Sequence, residues 1–188
     1  QHPTRLPPLP SSDLDDWEVP YRQIKETGER LGSGSFADVV KVRWRNKELA
    51  FKTIRSGSTA GLGADLKLVK RCLKEASTLK QVHHANVIDL MGVCVEEGHL
   101  GILMEYAERG TLRNVLDKNA GMGTEQRQQM AVGVLRGVNH LHTAQIKPIL
   151  HGDLKSANVL VMKDGTCKVA DFGMATGSTA AMSLSQSH

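Results

Sequence analysis

The chain has 188 residues, a formal net charge of +4 and a hydrophobic content of 40%, which is ordinary for one globular domain or part of one. Basic and acidic residues alternate without a long basic tract, so the charge pattern argues against a nucleic-acid partner. No apolar run reaches membrane-spanning length and the N-terminus lacks a secretory signal pattern, so we expect no membrane span.

Three cysteines, Cys72, Cys94 and Cys167, are widely spaced and form no C-x-x-C motif. An odd number of separated cysteines favours reduced thiols, and hence a cytoplasmic location, over a disulfide framework. Each cysteine lies in an apolar pattern, so we expect all three to be buried.

The first half of the chain predicts a lead-in followed by a β-rich region. Residues 1–18 are rich in Pro, Ser and Asp and predict a disordered or extended segment. Three short strands with turn residues between them then follow, at 24–31, 39–44 and 48–54. A Gly/Ser/Thr-rich loop is predicted at 56–63.

Helical periodicity begins after that loop. Apolar residues recur on one stripe of a helix predicted from Asp65 to Lys80, namely Leu68, Cys72, Ala76 and Leu79. Two further strands, 87–95 and 100–106, flank a turn at 96–99.

The second half predicts mainly helices. Residues 111–117 form a short helix candidate, and Thr124 is a plausible N-cap of a longer helix ending near His142. The apolar stripe of the longer helix consists of Met130, Val134, Leu135, Val138 and Leu141. A loop and a small hairpin complete the pattern up to Gly173.

Several chemistry-bearing residues stand in a fixed order. Gly32-x-Gly34 lies between two strands, where the missing Cβ permits close approach of the backbone to phosphates. Lys52 lies on the strand after that turn, and Glu75 lies on the following helix. Taken alone, each feature also fits an ordinary Gly/Ser hairpin, a surface lysine or a solvated glutamate.

A pair of motifs further along the chain decides between these interpretations. His151-Gly-Asp-Leu-Lys-Ser-Ala-Asn158 is followed by Asp171-Phe-Gly173, with Asp153 and Asn158 five residues apart. A Gly-rich turn, strand lysine, helix glutamate, D-x-x-x-x-N and D-F-G in this order resemble the protein-kinase signature set.

The resemblance extends from about Trp17 to Gly173. Trp17-Glu-Val-Pro, Trp44-Arg and the segment 148–158 are similar to the tyrosine-kinase-like group, whose members are mostly Ser/Thr kinases. Lys155, two residues after Asp153, also matches Ser/Thr enzymes.

The fold that this resemblance implies is α+β and protein-kinase-like. We expect a β-rich N-lobe with one regulatory helix at 19–104, and a hinge with a mainly helical C-lobe at 105–188. Because the sequence stops soon after Asp171-Phe-Gly173, we expect the C-lobe to be incomplete.

The resemblance also implies a site for ATP. The glycine-rich turn would cover the phosphates, Met104 would be the gatekeeper, and 105–107 would be the hinge that offers backbone groups to adenine. The implied ATP-binding residues are Leu31, Gly32, Ser33, Gly34, Ser35, Val39, Ala50, Lys52, Met104, Glu105, Ala107 and Leu160.

The implied catalytic residues are Lys52, Glu75, Asp153 and Lys155. Lys52, oriented by Glu75, would bind the α- and β-phosphates, Asp153 would accept the proton of the substrate hydroxyl, and Lys155 would neutralise the transferring phosphoryl group. Asn158 and Asp171 would bind Mg²⁺.

Two departures from the family pattern affect the expected behaviour. Ala37 replaces the third glycine of the phosphate lid, which predicts a stiffer lid. Gly152 replaces the arginine that in the family pairs with a phosphorylated activation loop, so we expect activity without that switch.

Two functions are therefore compared. The first is ATP-dependent phosphorylation of Ser/Thr hydroxyls of proteins, and the intact Lys52, Asp153, Asn158 and Asp171 favour it. The alternative is a catalytically incompetent pseudokinase or truncated nucleotide-binding module that acts through a regulatory protein partner, which the early end of the chain favours. A metal site at His83-His84 or His140-x-His142 is disfavoured because neither pair has further ligands.

Overall fold

The computed structural model describes residues 15–34, 37–54, 62–96, 98–143 and 148–177, with the side chains of 15 and 62–68 excepted. The chain divides into two compact units. Unit 1 comprises Gln1–Lys80 and Leu90–Tyr106, and unit 2 comprises Gln81–Asp89 and Ala107–His188.

Unit 1 is built on a five-stranded antiparallel sheet with the order β1-β2-β3-β5-β4. Its elements are β1 (Lys25–Ser33), β2 (Ala37–Trp44), β3 (Lys47–Ile54), α1 (Leu62–Lys80), β4 (Leu90–Glu96) and β5 (His99–Glu105). The α+β fold with a β-rich first part and one helix, predicted from the sequence, is confirmed. Arg45 and Asn46 both have positive φ, the conformation that a two-residue hairpin loop requires between β2 and β3.

The two faces of this sheet differ in what covers them. Side chains alternate along a strand, so Val42 and Trp44 share one face with Leu49 and Phe51 of β3. These four residues form a core cluster with Val19 and Ile24 from the segment before β1, among others. The N-terminal segment therefore packs on this face of the sheet.

At residues 15–18 the structure differs from the disordered or extended lead-in predicted for residues 1–18. Asp15–Trp17 form a 3-10 helix, Glu18 forms a parallel bridge with Val93, and the Val19 N–H donates to the Val93 carbonyl over 2.7 Å. Residues 1–14 lie outside the described residues, as do most of the loop expected at 56–63. Burial of Val19 explains the difference, because one apolar anchor holds a polar segment against β4.

The opposite face of the sheet carries the residues of functional interest. Cross-strand pairing places Val39 opposite Lys52 and Lys52 opposite Ile102, and places Lys41 opposite Ala50 and Ala50 opposite Met104. We call this surface the Lys52 face; its members are Val39, Lys41, Ala50, Lys52, Ile102 and Met104. Helix α1 contacts β4 and β5, and its predicted apolar stripe is buried at Cys72, Ala76 and Leu79.

In its described residues, unit 2 contains two α-helices and two small antiparallel sheets. They are α2 (Leu112–Lys118), α3 (Thr124–Thr143), the pair β6 (Ile149–Leu150) with β9 (Thr176–Gly177), and the pair β7 (Val159–Val161) with β8 (Cys167–Val169). Thr111 caps α2 by accepting from the Asn114 N–H over 3.1 Å, so the helix begins one residue later than predicted. Thr124 is the first residue of α3 rather than its N-cap, and the Gly123 carbonyl accepts from the Arg127 N–H.

Helix α3 packs with a different surface from the predicted stripe. Met130 and Leu141 are buried as expected, but Leu135 is 66% exposed. Gly133 and Gly137, which the sequence left unassigned, are buried against Asn86. Glycine lets the helix backbone approach its neighbour more closely than a leucine stripe allows, which is why hydrophobic periodicity missed this contact. None of the helices within the described ranges has the length and apolar character needed to cross a bilayer.

Candidate functional site

A buried ion pair joins the sheet of unit 1 to its helix. Lys52 Nζ on β3 lies 2.8 Å and 2.9 Å from the two carboxylate oxygens of Glu75 on α1. The Glu75 side chain is 4% exposed and that of Lys52 is 18% exposed. Removing one partner of such a pair leaves an uncompensated buried charge, at a cost of about 3–5 kcal/mol. The pair therefore fixes the Lys52 ammonium group in one position.

The glycine-rich turn between β1 and β2 is open at Gly32. Gly32 pairs with Val39, and the Gly34 N–H donates to the Ala37 carbonyl over 2.8 Å. Among the described residues no atom lies within 4 Å of where a Cβ on Gly32 would stand, and the φ of Gly32 is not positive. Internal packing and backbone strain therefore do not require this glycine. A bare backbone suits the approach of an external group such as a phosphate.

The other residues expected around the nucleotide take defined places. Val39, Ala50 and Met104 lie on the Lys52 face, and Glu105 ends β5. Leu31 is exposed and Ser33 lies at the end of β1. In unit 2, Ala107 is buried and Leu160 is half-buried on β7. Ser35 lies outside the described residues.

Asp153 is the centre of a hydrogen-bonded loop in unit 2. Lys155 Nζ donates to Asp153 Oδ2 over 2.7 Å, and Asn158 Nδ2 donates to the same oxygen over 3.0 Å and to the Asp153 carbonyl over 2.9 Å. The hydrogen bond from Lys155, followed by that from Asn158, lowers the pKa of Asp153. The carboxylate is therefore ionised at neutral pH, and both of these side-chain bonds go to Oδ2.

A buried histidine connects this loop to the Asp-Phe-Gly segment. His151 Nε2 lies 2.9 Å from the Ala170 carbonyl, its Nδ1 accepts from the Asp153 N–H over 3.3 Å, and its ring centroid is 5.1 Å from that of Phe172. The Ala170 N–H donates to the Asn158 carbonyl over 2.9 Å. Asp171 follows with φ of 65°. The sequence motif includes His151 but did not indicate its bond to the backbone of Ala170.

The oxygen atoms of Asn158 and Asp171 have the chemistry that Mg²⁺ prefers. Because Asn158 Nδ2 is used in the bonds to Asp153, the amide oxygen Oδ1 remains as its acceptor. Asp171 supplies a carboxylate. Mg²⁺ in proteins binds one or two such hard oxygen ligands and completes its shell with water and substrate phosphates. The residues present therefore fit this ion.

Gly152 has a conformation that favours glycine. Its φ is +79°, and a Cβ at this position would stand 2.9 Å from the Met174 carbonyl oxygen. The family arginine that it replaces would therefore be strained here.

Two of the four histidines considered as metal ligands, His84 and His140, stack on each other. His84 Nδ1 accepts from the Asn86 N–H over 3.0 Å, and its ring stacks on that of His140 with centroids 4.6 Å apart. Asn86 in turn donates from Nδ2 to the Cys167 carbonyl over 2.9 Å. His84 thus fixes the turn between α1 and β4. The described part of the chain brings together no three His, Cys, Asp or Glu side chains that could hold a metal ion.

Comparison with known proteins gives a consistent result. A family model described as the protein kinase domain matches residues 25–187. The chain is 34% identical over 181 residues to the probable serine/threonine-protein kinase drkD of Dictyostelium discoideum, covering 93% of this chain and 14% of that protein. It is 36% identical over 161 residues to calcium/calmodulin-regulated receptor-like kinase 2 of Arabidopsis thaliana, covering 82% and 36%. It is 35% identical over 170 residues to mitogen-activated protein kinase kinase kinase 7 of Bos taurus, covering 88% and 27%. The chain thus spans 14–36% of the length of these curated relatives.

Proposed function

Because this chain belongs to the protein kinase domain family, we propose that the protein transfers the γ-phosphoryl group of ATP to serine and threonine hydroxyls of protein substrates. The resemblance to Ser/Thr kinases, inferred from residues such as Lys155, is confirmed by relatives named as serine/threonine-protein kinases. The residue roles given below belong to this proposal.

The observation that carries the proposal is the geometry around Asp153. Lys155 and Asn158 hold Asp153 Oδ2, so Oδ1 is the oxygen that can accept from a substrate hydroxyl. As the hydroxyl oxygen bonds to the γ-phosphorus, the bond to the β,γ-bridging oxygen breaks, ADP leaves, and the hydroxyl proton passes to the Asp153 carboxylate. Lys155, 2.7 Å from Asp153, lies where its charge can stabilise the transferred phosphoryl oxygens.

We assign the nucleotide-binding roles to individual residues within each unit. Lys52, fixed by Glu75, binds the α- and β-phosphates, and the bare backbone of Gly32 and Gly34 approaches the phosphates. Apolar side chains contact adenine and backbone groups at 105–107 bind its edge. The apolar residues are Val39, Ala50 and Met104 of unit 1 and Leu160 of unit 2.

Asn158 Oδ1 and the Asp171 carboxylate are the proposed Mg²⁺ ligands. When bound, Mg²⁺ neutralises negative charge on the phosphate oxygens. The bonds from Asn158 Nδ2 to Asp153 orient the amide so that its oxygen faces away from them. The His151 bond to Ala170 holds the residue next to Asp171.

Thermal stabilisation by Mg·ATP tests the nucleotide site. In Lys52→Met we expect the rise in melting temperature of the 188-residue chain on adding Mg·ATP to be lost, because the phosphate-binding charge is gone. Lys47→Met removes an exposed lysine from the same strand and is the matched control. A Lys52→Met chain that Mg·ATP stabilises as well as it stabilises the wild type contradicts the assignment.

Asp153→Asn separates transfer from binding. We expect this variant to keep the stabilisation by Mg·ATP and to phosphorylate a mixed Ser/Thr peptide library about 10²- to 10⁴-fold more slowly than the wild type. A wild-type chain that binds Mg·ATP and transfers nothing would instead support the alternative of a regulatory module acting through a partner. The cytoplasmic location is also part of the proposal, since the three buried cysteines are free thiols.

A further inference from the structure

A lysine lies on a sheet face that is otherwise lined by residues assigned to the nucleotide. Lys41 of β2 is directly opposite Ala50, and Ala50 is directly opposite Met104. Directly opposed side chains in antiparallel strands lie on the same face, so Lys41 belongs to the Lys52 face. Lys52 itself pairs with Val39, two residues earlier along β2. Lys41 therefore lies in one cross-strand row with Met104, the residue before the 105–107 segment.

Contacts from three directions hold the Lys41 side chain. Its Nζ lies 3.1 Å from Glu48 Oε1 on β3 and 3.6 Å from Glu29 Oε2 on β1. The same nitrogen lies 4.5 Å from the centroid of the Tyr106 ring, which is cation–π geometry. The side chain is 15% exposed, whereas Arg43, two residues further along the same face, is 58% exposed.

Tyr106 occupies a position that matters for base binding. It is the residue after β5, the last of unit 1, and the middle of the 105–107 segment assigned to the adenine edge. The last antiparallel pairing between β3 and β5 joins Leu49 to Glu105. A ring contact beyond that pairing supplies an additional restraint on the direction of the backbone.

We propose that Lys41 is a positioning residue for the nucleotide: it clamps the Tyr106 ring and thereby fixes the backbone that binds the adenine base. The inference deepens the proposed function and rests on it. Glu29 and Glu48 neutralise the Lys41 charge, so its effect on the nucleotide is exerted through Tyr106 and not through attraction of the phosphates. The hydrogen bond to Glu48 also raises the pKa of Lys41, which keeps the ammonium charged for the ring contact.

Binding of adenosine and of Mg·ATP to the 188-residue chain distinguishes the two lysines. For Lys41→Met we expect the dissociation constants of both ligands to rise by the same factor, about three- to tenfold, which is the size of one cation–π contact. For Lys52→Met we expect a large loss for Mg·ATP and little change for adenosine, because Lys52 acts on the phosphates. Arg43→Met, on the same strand and face, should change neither constant.

Conservative and double variants show that the clamp acts through the ring. Lys41→Arg retains a cation over Tyr106 and should bind both ligands within about twofold of the wild type. Tyr106→Leu should reproduce the loss seen in Lys41→Met, and combining the two should add little more, because each removes the same contact.

Several outcomes would overturn the inference. A loss in Lys41→Met confined to Mg·ATP would show an electrostatic role toward phosphate. Equal losses in Lys41→Met and Arg43→Met, or a lowered melting temperature with unchanged dissociation constants, would show a merely structural role. If Lys52→Met no longer binds Mg·ATP while Lys41→Met binds adenosine normally, the inference fails and the proposed function stands. If the wild type binds neither adenosine nor Mg·ATP, the inference and the proposed function both fail.

Discussion

Lys52 and Asp153, which are both proposed catalytic residues, are held in position in two different ways. The partner of Lys52 is Glu75, 23 residues away on another element, and burial makes that pair costly to break. The partners of Asp153 are two and five residues away within one loop. The first arrangement depends on correct packing of α1 on the sheet, whereas the second forms wherever the loop adopts its own conformation.

The pH dependence of stability is expected to depend on His84. Burial, followed by the charges of His140, Arg136 and Lys168, lowers the pKa of His84 below its ordinary value of 6.5. The unfolded chain then takes up the proton first, so the free energy of unfolding decreases as the pH falls through about 6.5 and levels off below the folded pKa. His84→Asn keeps an acceptor for the Asn86 N–H. When the pH is lowered from about 7.5 to about 5.5, we expect its melting temperature to fall less than that of the wild type.

His83→Asn is the control for this measurement, because it removes the neighbouring histidine, whose side chain is 70% exposed. We expect it to follow the wild-type curve. If His84→Asn and His83→Asn show the same pH dependence, the assignment of the effect to His84 is wrong.

At the scale of elements, helix α3 depends on glycine rather than on its apolar stripe. A Cβ on Gly137 would stand 2.3 Å from the Asn86 carbonyl oxygen, and one on Gly133 would stand 3.1 Å from the Asn86 side-chain nitrogen. Asn86 also accepts from the Val169 N–H and donates to the Cys167 carbonyl. These contacts hold the helix, the Asn86 turn and β8 at backbone-to-backbone distances.

Gly137→Ala should destabilise the protein although alanine favours helix. Helix propensity alone predicts that replacing either glycine by alanine raises the free energy of unfolding by about 0.5–1 kcal/mol. The contact with the Asn86 backbone should outweigh that gain and lower the free energy of unfolding by about 1–3 kcal/mol, measured by urea denaturation. Gly133→Ala is the matched control and should lose less, because its tightest contact is the end of the Asn86 side chain and its contacts with Cys167 are at ordinary distances. Equal effects of the two substitutions would contradict the close-packing explanation.

At the scale of the whole molecule, every cysteine is buried. Cys72 and Cys94 lie in unit 1 and Cys167 in unit 2, and all three are free thiols. Burial raises the pKa of Cys72 and of Cys94 to about 12 and also raises the pKa of Cys167. The reactive thiolate is therefore disfavoured in both units at neutral pH.

Thiol labelling consequently reports the folding of both units. We expect no cysteine of the native protein to react promptly with a thiol reagent at neutral pH, and all three to react after denaturation. Mass spectrometry of labelled peptides identifies which thiol reacts. Prompt labelling of Cys167 alone in the native protein would show that unit 2 is not packed as described.

The sequence by itself determined the family and the order of the main strands and helices, and it singled out Lys52, Asp153, Asn158 and Asp171 as candidates, because these depend on local periodicity and short spacings. It failed at the end of the lead-in, where Val19 packs on the sheet, and at Leu135 of α3, which is exposed while two glycines make the contact. Only the tertiary structure decided that Lys41 shares a face with Lys52 and contacts Tyr106, 65 residues further on. Such pairings depend on strand register and backbone approach, which arise from long-range packing and leave no periodic signal in the chain.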